Sequence, residues 1–237
     1  MRDNKSYYDT FAETYDRGRD RGYHGFLDRS EFELVAPFAR DREVLEVGCG
    51  TGLILARLEQ VARRAVGVDL SPGMLARARD RGLDVHEASA TALPFDDASF
   101  DVCCSFKVLA HVEHIDRALA EMARVTRPGG VIVAEFYNRH SVRTLVKRYG
   151  PAGRVGAAGD THEREVFIRY DSLDDVRRYL PESLSIERVD GIRVLSPAAL
   201  PFELPVLGPL WAQAERIASK LPIRRFGGFL VVTLRRS

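Results

Sequence analysis

The run Val44-Leu45-Glu46-Val47-Gly48-Cys49-Gly50-Thr51-Gly52 decides how this chain is read. Its apolar opening suits a central strand of a parallel sheet. Three alternating glycines then make a turn, and a helix is predicted to begin near Leu53. Glycines at this spacing let a ligand lie against the backbone, where a Cβ would collide or φ would be disallowed. The helix N-terminus that follows presents free N–H groups, which favour negative charge.

Downstream, a second apolar segment, Ala65-Val66-Gly67-Val68, ends at Asp69. An acidic residue about 20 positions after such glycines is placed to accept hydrogen bonds from ribose hydroxyls. A dinucleotide fingerprint, which would make the protein an NAD-dependent oxidoreductase, needs Gly-x-Gly-x-x-Gly. Here the third glycine comes one residue early, at Gly52, and Leu53 takes the expected place. The pattern Glu46-x-Gly48-x-Gly50-x-Gly52 resembles motif I of the class I S-adenosylmethionine-dependent methyltransferases.

The 237 residues suffice for one α/β domain with a sizeable core. A net charge of +1 gives no global drive toward nucleic acid. Three cysteines, two of them adjacent, do not make a disulfide framework, so a reducing cytoplasm is the expected compartment. The polar start Met1-Arg2-Asp3-Asn4-Lys5 lacks the apolar region of a signal peptide. No apolar run approaches the ~18 residues of a membrane span, so stable membrane insertion is not expected.

Residues 1–40 read as a helical cap. Tyr7, Tyr8, Phe11 and Tyr15 fall at helical spacings, either packed on the domain or closing over cofactor and substrate. The tyrosine-rich start, with Tyr8-Asp9 and Tyr15-Asp16, resembles that of many small-molecule methyltransferases. Arg17 to Arg21 read as a mobile loop and Glu31–Ala39 as a helix. Residues 41–137, the cofactor-binding core, alternate strand and helix. Strands are predicted at 43–47, 65–69, 84–87, 101–106 and 131–137, and helices at Leu53–Gln60, Gly73–Arg81 and Asp116–Val125. Such alternation argues a parallel sheet with helices on both faces. Ser71-Pro72 is a helix start, and Arg127-Pro128-Gly129-Gly130 a stop and turn.

Residues 138–183 interrupt the alternation. They comprise a basic helix over Ser141–Arg148, a flexible loop over Gly150–Gly159, a β-like stretch over Val166–Tyr170 and an amphipathic helix over Ser172–Leu180. This resembles the family's insertion over the active site; the other reading is an ordinary extra helical layer. Residues 184–237 supply strands six, at Leu184–Leu195, and seven, at Gly228–Arg235. Between them Phe202, Leu204, Val206, Leu207, Leu210 and Trp211 read mainly as core, or else as an apolar wall for a substrate. The predicted fold is a single α/β domain: a Rossmann-like, seven-stranded, mostly parallel sheet with helices on both faces.

Further motifs extend the resemblance between Val44 and Gly130. Ser89-Ala90-Thr91-Ala92-Leu93-Pro94-Phe95-x4-Phe100-Asp101 resembles the family's Asp-Ala-x-x-Leu-Pro-Phe-x4-Phe-Asp, whose leading Asp binds the adenine amino group. Ser89 stands at that place, and a hydroxyl accepts more weakly than a carboxylate. Contact through the Ala90 N–H needs no particular side chain. Ser105-Phe106-Lys107-Val108-Leu109-Ala110-His111-Val112 resembles the family's exit from strand four. Ligands of open α/β sheets bind beyond the carboxyl ends of strands, near the reversal of strand order. Ser105 and Phe106 are thereby placed beside the methionine moiety and the methyl group.

The resemblance implies S-adenosylmethionine as cofactor. The implied binding set is Glu46, Gly48, Cys49, Gly50, Gly52, Asp69, Leu70, Met74, Ser89, Ala90, Thr91, Ser105, Phe106 and His111. His111 either contacts the cofactor carboxylate, directly or through water, or is structural. A hydroxyl acceptor would profit from a base, for which His111, His24 and Tyr15 are the candidates. His111 and His114 lack a carboxylate set for a metal, and Cys103 and Cys104 read as strand filler. No Asn-Pro-Pro-Tyr-type tetrapeptide follows strand four, which argues against methylation of nucleic-acid bases. The expected activity is methyl transfer to oxygen, nitrogen or carbon of a small-molecule acceptor, such as a natural product or a quinone- or lipid-like compound. The expected protein is a monomer or homodimer with no nucleic-acid partner. A non-catalytic S-adenosylmethionine sensor or partner subunit would keep the same motifs.

Overall fold

Alternation of side chains along each strand builds the sheet and both of its covering layers. A computed structural model describes residues 9, 12, 15–16, 18–19, 21–144, 167–196, 199–205 and 207–237. The strands are β1 (Glu43–Val47), β2 (Arg64–Asp69), β3 (Val85–Glu87), β4 (Phe100–Ser105), β5 (Thr126–Tyr137), β6 (Leu184–Ile192) and β7 (Phe229–Arg236). They form a seven-stranded sheet in the order β3-β2-β1-β4-β5-β7-β6. β1 to β5 run parallel, and β7 lies antiparallel between β5 and β6. Strand order reverses between β1 and β4, where the first glycine turn leaves the sheet.

The helices are α1 (Gly22–Ala39), α2 (Leu55–Glu59), α3 (Pro72–Asp80), α4 (Ile115–Val125), α5 (Leu173–Tyr179), α6 (Leu200–Glu203) and α7 (Leu207–Ala218). Successive strand residues point to opposite faces. Val44, Val102, Cys104 and Val133 therefore join the layer with Phe26, Val35 and Leu75, while Leu45, Cys103 and Ile132 join the layer with Leu119, Met122 and Val176. Helix α4 shows the sequence logic: Ile115, Ala118, Leu119, Met122 and Ala123 recur at helical spacing and are all buried. Helix α3 starts as predicted, with the Ser71 hydroxyl accepting from Met74 N at 3.1 Å and Pro72 in the first turn.

Four expectations are corrected. Helix α1 starts at Gly22 rather than Glu31. Gly22 and Gly25 are poor helix formers, but Tyr23 and Phe26 pack on Phe202 at ring distances of 5.5 and 4.9 Å. That packing overrides local propensity. Arg19, read as part of a mobile loop, is buried and paired with Asp28 at 3.1 Å. Strand β5 begins at Thr126, not 131, because the Pro128-Gly129-Gly130 turn is absorbed as an irregularity in its pairing with β4. The C-terminal leucines are not core: Phe202 is buried and Trp211 half-buried, whereas Leu204, Leu207 and Leu210 are exposed.

The reason for that last difference is Glu215. Its carboxylate accepts from Val194 N at 2.7 Å and Leu195 N at 3.1 Å, just beyond β6. Satisfying those backbone groups turns Glu215 inward and the leucines of α7 outward. Tyr7, Tyr8, Phe11, Val206, the Gly150–Gly159 loop and most of the predicted 141–148 helix lie outside the described residues. Residues 167–170 form no strand; the bridge there is Asn138 to Asp171.

Cys49, Cys103 and Cys104 are buried free thiols, and burial holds each thiol above its ordinary value. An aromatic disulfide reagent is expected to react with none of the three in the native protein and with all three in guanidinium. Rapid native reaction at any of them would contradict this packing.

Candidate cofactor site at the carboxyl edge of the sheet

The glycine turn is held by one carboxylate. Asp69, at the end of β2, accepts from Gly50 N at 2.8 Å through Oδ2 and from Ser71 N at 2.9 Å through Oδ1. Burial raises its pKa, against the lowering effect of backbone N–H groups from Ser71, Gly50 and Leu70. A carboxylate offers about four acceptor positions, so two remain for a ligand.

The three glycines serve different ends. All adopt positive φ: +77° at Gly48, +55° at Gly50 and +83° at Gly52. A Cβ at Gly48 would sit 2.1 Å from Val108 Cγ2, and one at Gly52 would sit 2.3 Å from Leu83 Cδ1. Those two glycines admit neighbouring side chains. At Gly50 no atom of the described residues, its chain neighbours aside, lies within 4 Å of the Cβ position. Gly50 is thus where the turn opens toward a ligand, a distinction that spacing does not reveal.

A cavity of about 300 Å³ lies over this turn. Its lining includes Gly48, Gly50, Asp69, Leu70, Met74, Ser89, Ala90, Thr91, Phe106 and His111 from the sequence-derived set, together with Tyr15. Glu46 and Cys49 line a smaller space behind the turn, of about 30 Å³, which Tyr15, Asp28 and Lys107 also reach. Gly52 packs on Leu83. Ser105 is fully buried outside the cavity, and neither its Oγ nor Glu46 Oε2 has a hydrogen-bond partner. His24 does not line the cavity: it stands on α1 with its ring 5.2 Å from Tyr23, and partial desolvation of the ring, followed by the nearby Arg19 and Lys107, lowers its pKa.

His111 ends a 3-10 turn, Leu109–His111, just beyond β4. Its Nδ1 is 2.9 Å from the Phe167 carbonyl, which can only accept. A proton on Nδ1 satisfies that bond. The ring stands edge-on to Tyr137 at 5.7 Å. Burial raises the Tyr15 phenol, with the Arg19 guanidinium 4.2 Å over its ring. A raised phenol stays protonated at neutral pH and donates rather than accepts a proton.

Sequence reading gave weight to the aromatics of the cap and missed its aspartates. Asp9 Oδ1 accepts from Ser71 Oγ at 2.5 Å and Gly73 N at 3.0 Å. Asp16 accepts from Thr51 Oγ1 at 2.7 Å and pairs with Arg81 at 2.8 Å. The signal was the two Tyr-Asp pairs, each aspartate reaching one wall of the cofactor turn. Lys107 was missed too. It adopts φ +60° at the exit of β4, and its Nζ lies 2.7 Å from Asp28 and 2.8 Å from Glu31. Its N–H donates to Glu135 Oε1 at 3.1 Å.

This buried cluster sets its own protonation. Burial opposes ionisation of Asp28, but Lys107 and Arg19 outweigh it and hold that carboxyl below its ordinary value. Glu135 is driven well above its ordinary value by burial and by Glu31 beside it. The folded state thus binds the Glu135 proton more tightly than the unfolded chain does. The resulting stabilisation is full below the ordinary value of 4.5 and is lost as pH rises through the folded value. Glu135→Gln keeps an acceptor for Lys107 N and cannot titrate. Its stability relative to the parent is expected to increase steadily above about pH 4.5. Parallel curves of denaturation free energy against pH would refute this assignment.

With the geometry in place, comparison with known proteins gives consistent results. The profile of a family described as a methyltransferase domain matches residues 45–134. An uncharacterized methyltransferase of Mycolicibacterium gilvum is 32% identical over 183 residues, covering 73% of this chain and 68% of that protein. A demethylmenaquinone methyltransferase of a Mycobacterium species is 37% identical over 155 residues, covering 61% and 65% respectively. The match spans only 43%, 41% and 55% of three other curated relatives. The crystal structure of a possible histamine N-methyltransferase from Thermotoga maritima shares the fold, with a TM-score of 0.68 at 22% identity over 98% of this chain and 99% of that one. By sequence and by fold, the chain belongs to the S-adenosylmethionine-dependent methyltransferases.

Proposed function

We propose that the protein binds S-adenosylmethionine in the cavity of about 300 Å³ and transfers its methyl group to a small-molecule acceptor. The observation that carries this reading is the pair of bonds from Asp69 to Gly50 N and Ser71 N, with the only ligand-facing glycine of the three at Gly50. The residues present fit the cofactor. Asp69 has acceptor capacity left for ribose hydroxyls. Leu70 and Met74 offer apolar surface for a purine, and the Ser89 hydroxyl already donates to or accepts from Thr91 Oγ1 at 2.8 Å. That bond and the one from Thr91 N at 3.2 Å give Ser89 local work, so adenine recognition falls mainly to the Ala90 backbone. Glu46 Oε2, buried with no hydrogen-bond partner among the described residues, stays behind the turn as a reserve acceptor.

When bound, the cofactor supplies an already activated methyl on a positively charged sulfur. The chain's own residues then have three tasks. Phe106, Val108 and Val112 keep the cavity wall apolar, which excludes water from the reacting centre. Tyr15 lines the cavity, and the cap is pinned to the glycine turn through Asp16 and to the start of α3 through Asp9. His111, in the cavity wall, is the proposed proton acceptor for a hydroxyl or ammonium substrate. The match with a demethylmenaquinone methyltransferase supports an apolar, ring-bearing acceptor. In this reading residues 138–144 and 167–183 serve the acceptor side, and no nucleic-acid partner is assigned. No helix among the described residues is long and apolar enough to cross a membrane.

Calorimetric titration with S-adenosylhomocysteine tests the site. Asp69→Ala is expected to weaken binding by roughly 1.5–3 kcal/mol, the scale of a hydrogen bond to a charged group. A folded variant of unchanged affinity would remove Asp69 from the site.

The glycines give a second, sharper contrast. Gly50→Ala is expected to lose cofactor affinity while costing only about 1–2 kcal/mol of stability for its left-handed φ. Gly48→Ala meets Val108 and is expected to destabilise the fold more than that. Equal loss of stability in thermal melts of the two would show that Gly50, like Gly48, is packed.

A further inference from the structure

Helix α7 carries an apolar stripe that neither the core nor the cavity uses. Leu207, Leu210, Ile217 and Leu221 recur at steps of three, seven and four residues, so they share one side of the helix. They are 55%, 65%, 54% and 46% exposed. Ile223 and Phe226, in the 3-10 turn Pro222–Phe226, continue the strip. The adjoining side, through Gly208, Glu215 and Ala218, is the buried one.

Cations predominate along this segment, and Glu33 and Asp190 of neighbouring elements line the pocket that Arg216, Lys220 and Arg224 also line. Arg216, Lys220, Arg224 and Arg225 lie in the same segment, and the sole carboxylate between 207 and 226, Glu215, is buried beneath the helix. Arg216 pairs with Glu33 at 3.0 Å. Lys220, Arg224 and Arg225 make no ion pair among the described residues. The segment connects β6 to β7 at the carboxyl edge of the sheet, the edge that holds the cavity. Phe229, which opens β7, lies opposite Tyr137, whose ring meets His111.

We propose that this face docks on the surface of an anionic lipid bilayer. The aliphatic and aromatic side chains enter the boundary between headgroups and acyl chains, and Lys220, Arg224 and Arg225 meet lipid phosphates. Peripheral helices of this kind combine an apolar face with flanking Lys and Arg. A second copy of the chain fits less well, because a two-fold contact through this strip brings the same cations toward each other. Docking sets the mouth of the cavity beside the membrane, where an apolar acceptor is concentrated. The surface itself stands apart from the methyl-transfer reading.

Flotation of the full-length protein with vesicles tests the proposal without any turnover. Vesicles of phosphatidylcholine mixed with phosphatidylglycerol are expected to carry the protein, and pure phosphatidylcholine far less. Binding should fall as salt rises. The double variant Leu210→Glu, Ile217→Glu and the double variant Lys220→Ala, Arg225→Ala are each expected to lower vesicle affinity about tenfold or more. All four positions are exposed, and unchanged thermal melts would confirm that the variants fold. Binding to neither vesicle, or equally to both, would overturn the proposal. So would a dimer in sedimentation equilibrium that the Leu210→Glu, Ile217→Glu variant converts to monomer, because the strip would then belong to a second copy.

Discussion

Asp69 is the group on which the site depends. Its two oxygens draw together the turn after β1 and the start of α3, which the chain separates by a full strand and helix. Without an acceptor there, Gly50 N and Ser71 N would be left as unsatisfied backbone donors at the edge of the core, each costing about 1–3 kcal/mol. The same carboxylate therefore fixes the turn's shape and keeps acceptor capacity for a ligand. Positive φ at Gly48, Gly50 and Gly52 is the backbone's answer to that constraint. Val108 and Leu83 then fill the spaces that the first and third glycines leave.

Beneath the turn a second constraint operates. Lys107 and Arg19 are set among Asp28, Glu31, Glu46 and Glu135 with little access to water. Burying unpaired charge is costly, so the cluster approaches neutrality by pairing and by keeping protons on carboxyls. Asp28, between two cations, is the carboxyl held ionised, whereas Glu46 and Glu135 are pushed up by burial. The ammonium of Lys107 links α1 to the exit of β4. Its left-handed backbone turns the chain from β4 into the His111 segment. The cap is thus joined to the sheet by charge as well as by the stacking of Tyr23 and Phe26 on Phe202.

The central half of the chain was legible because its signals are local. An apolar strand, a glycine turn and Ser71-Pro72 each report a nearby backbone requirement, and β1, β2, β4 and α4 fall within a residue or so of their predicted bounds. The start of α1 was not legible, because the partner that makes Gly22–Ser30 helical is Phe202, far away in sequence. The aspartates of the cap were visible as letters, but only their distances to Ser71 and Thr51 show what they hold. Among the candidate bases, sequence could not separate His111 from His24. Both are lone histidines at helix ends, and only topology puts one at the cavity and the other on the outer side of α1. Glu215 carried no legible signal: a charged residue in an apolar stretch, it is nonetheless the buried one.

The antiparallel placement of β7 explains why so much chain gathers at one edge. Strand β5 ends at the carboxyl edge, and the chain leaves there into residues 138–172. It returns to the opposite edge through α5 and runs up β6, which ends again at the carboxyl edge. Because β7 then runs downward between β5 and β6, the connection of residues 193–228 must begin and end on the side of the cofactor turn. A parallel seventh strand would have needed a crossover that returns the chain to the far edge, like those that carry α2 to α4. The fold therefore assigns two long connections and the N-terminal cap to one mouth, while the glycine turn and Asp69 form its floor. The floor is fixed by backbone hydrogen bonds and tolerates little change. The remaining lining of the cavity comes from Tyr15 and from the short segments that follow β2, β3 and β4.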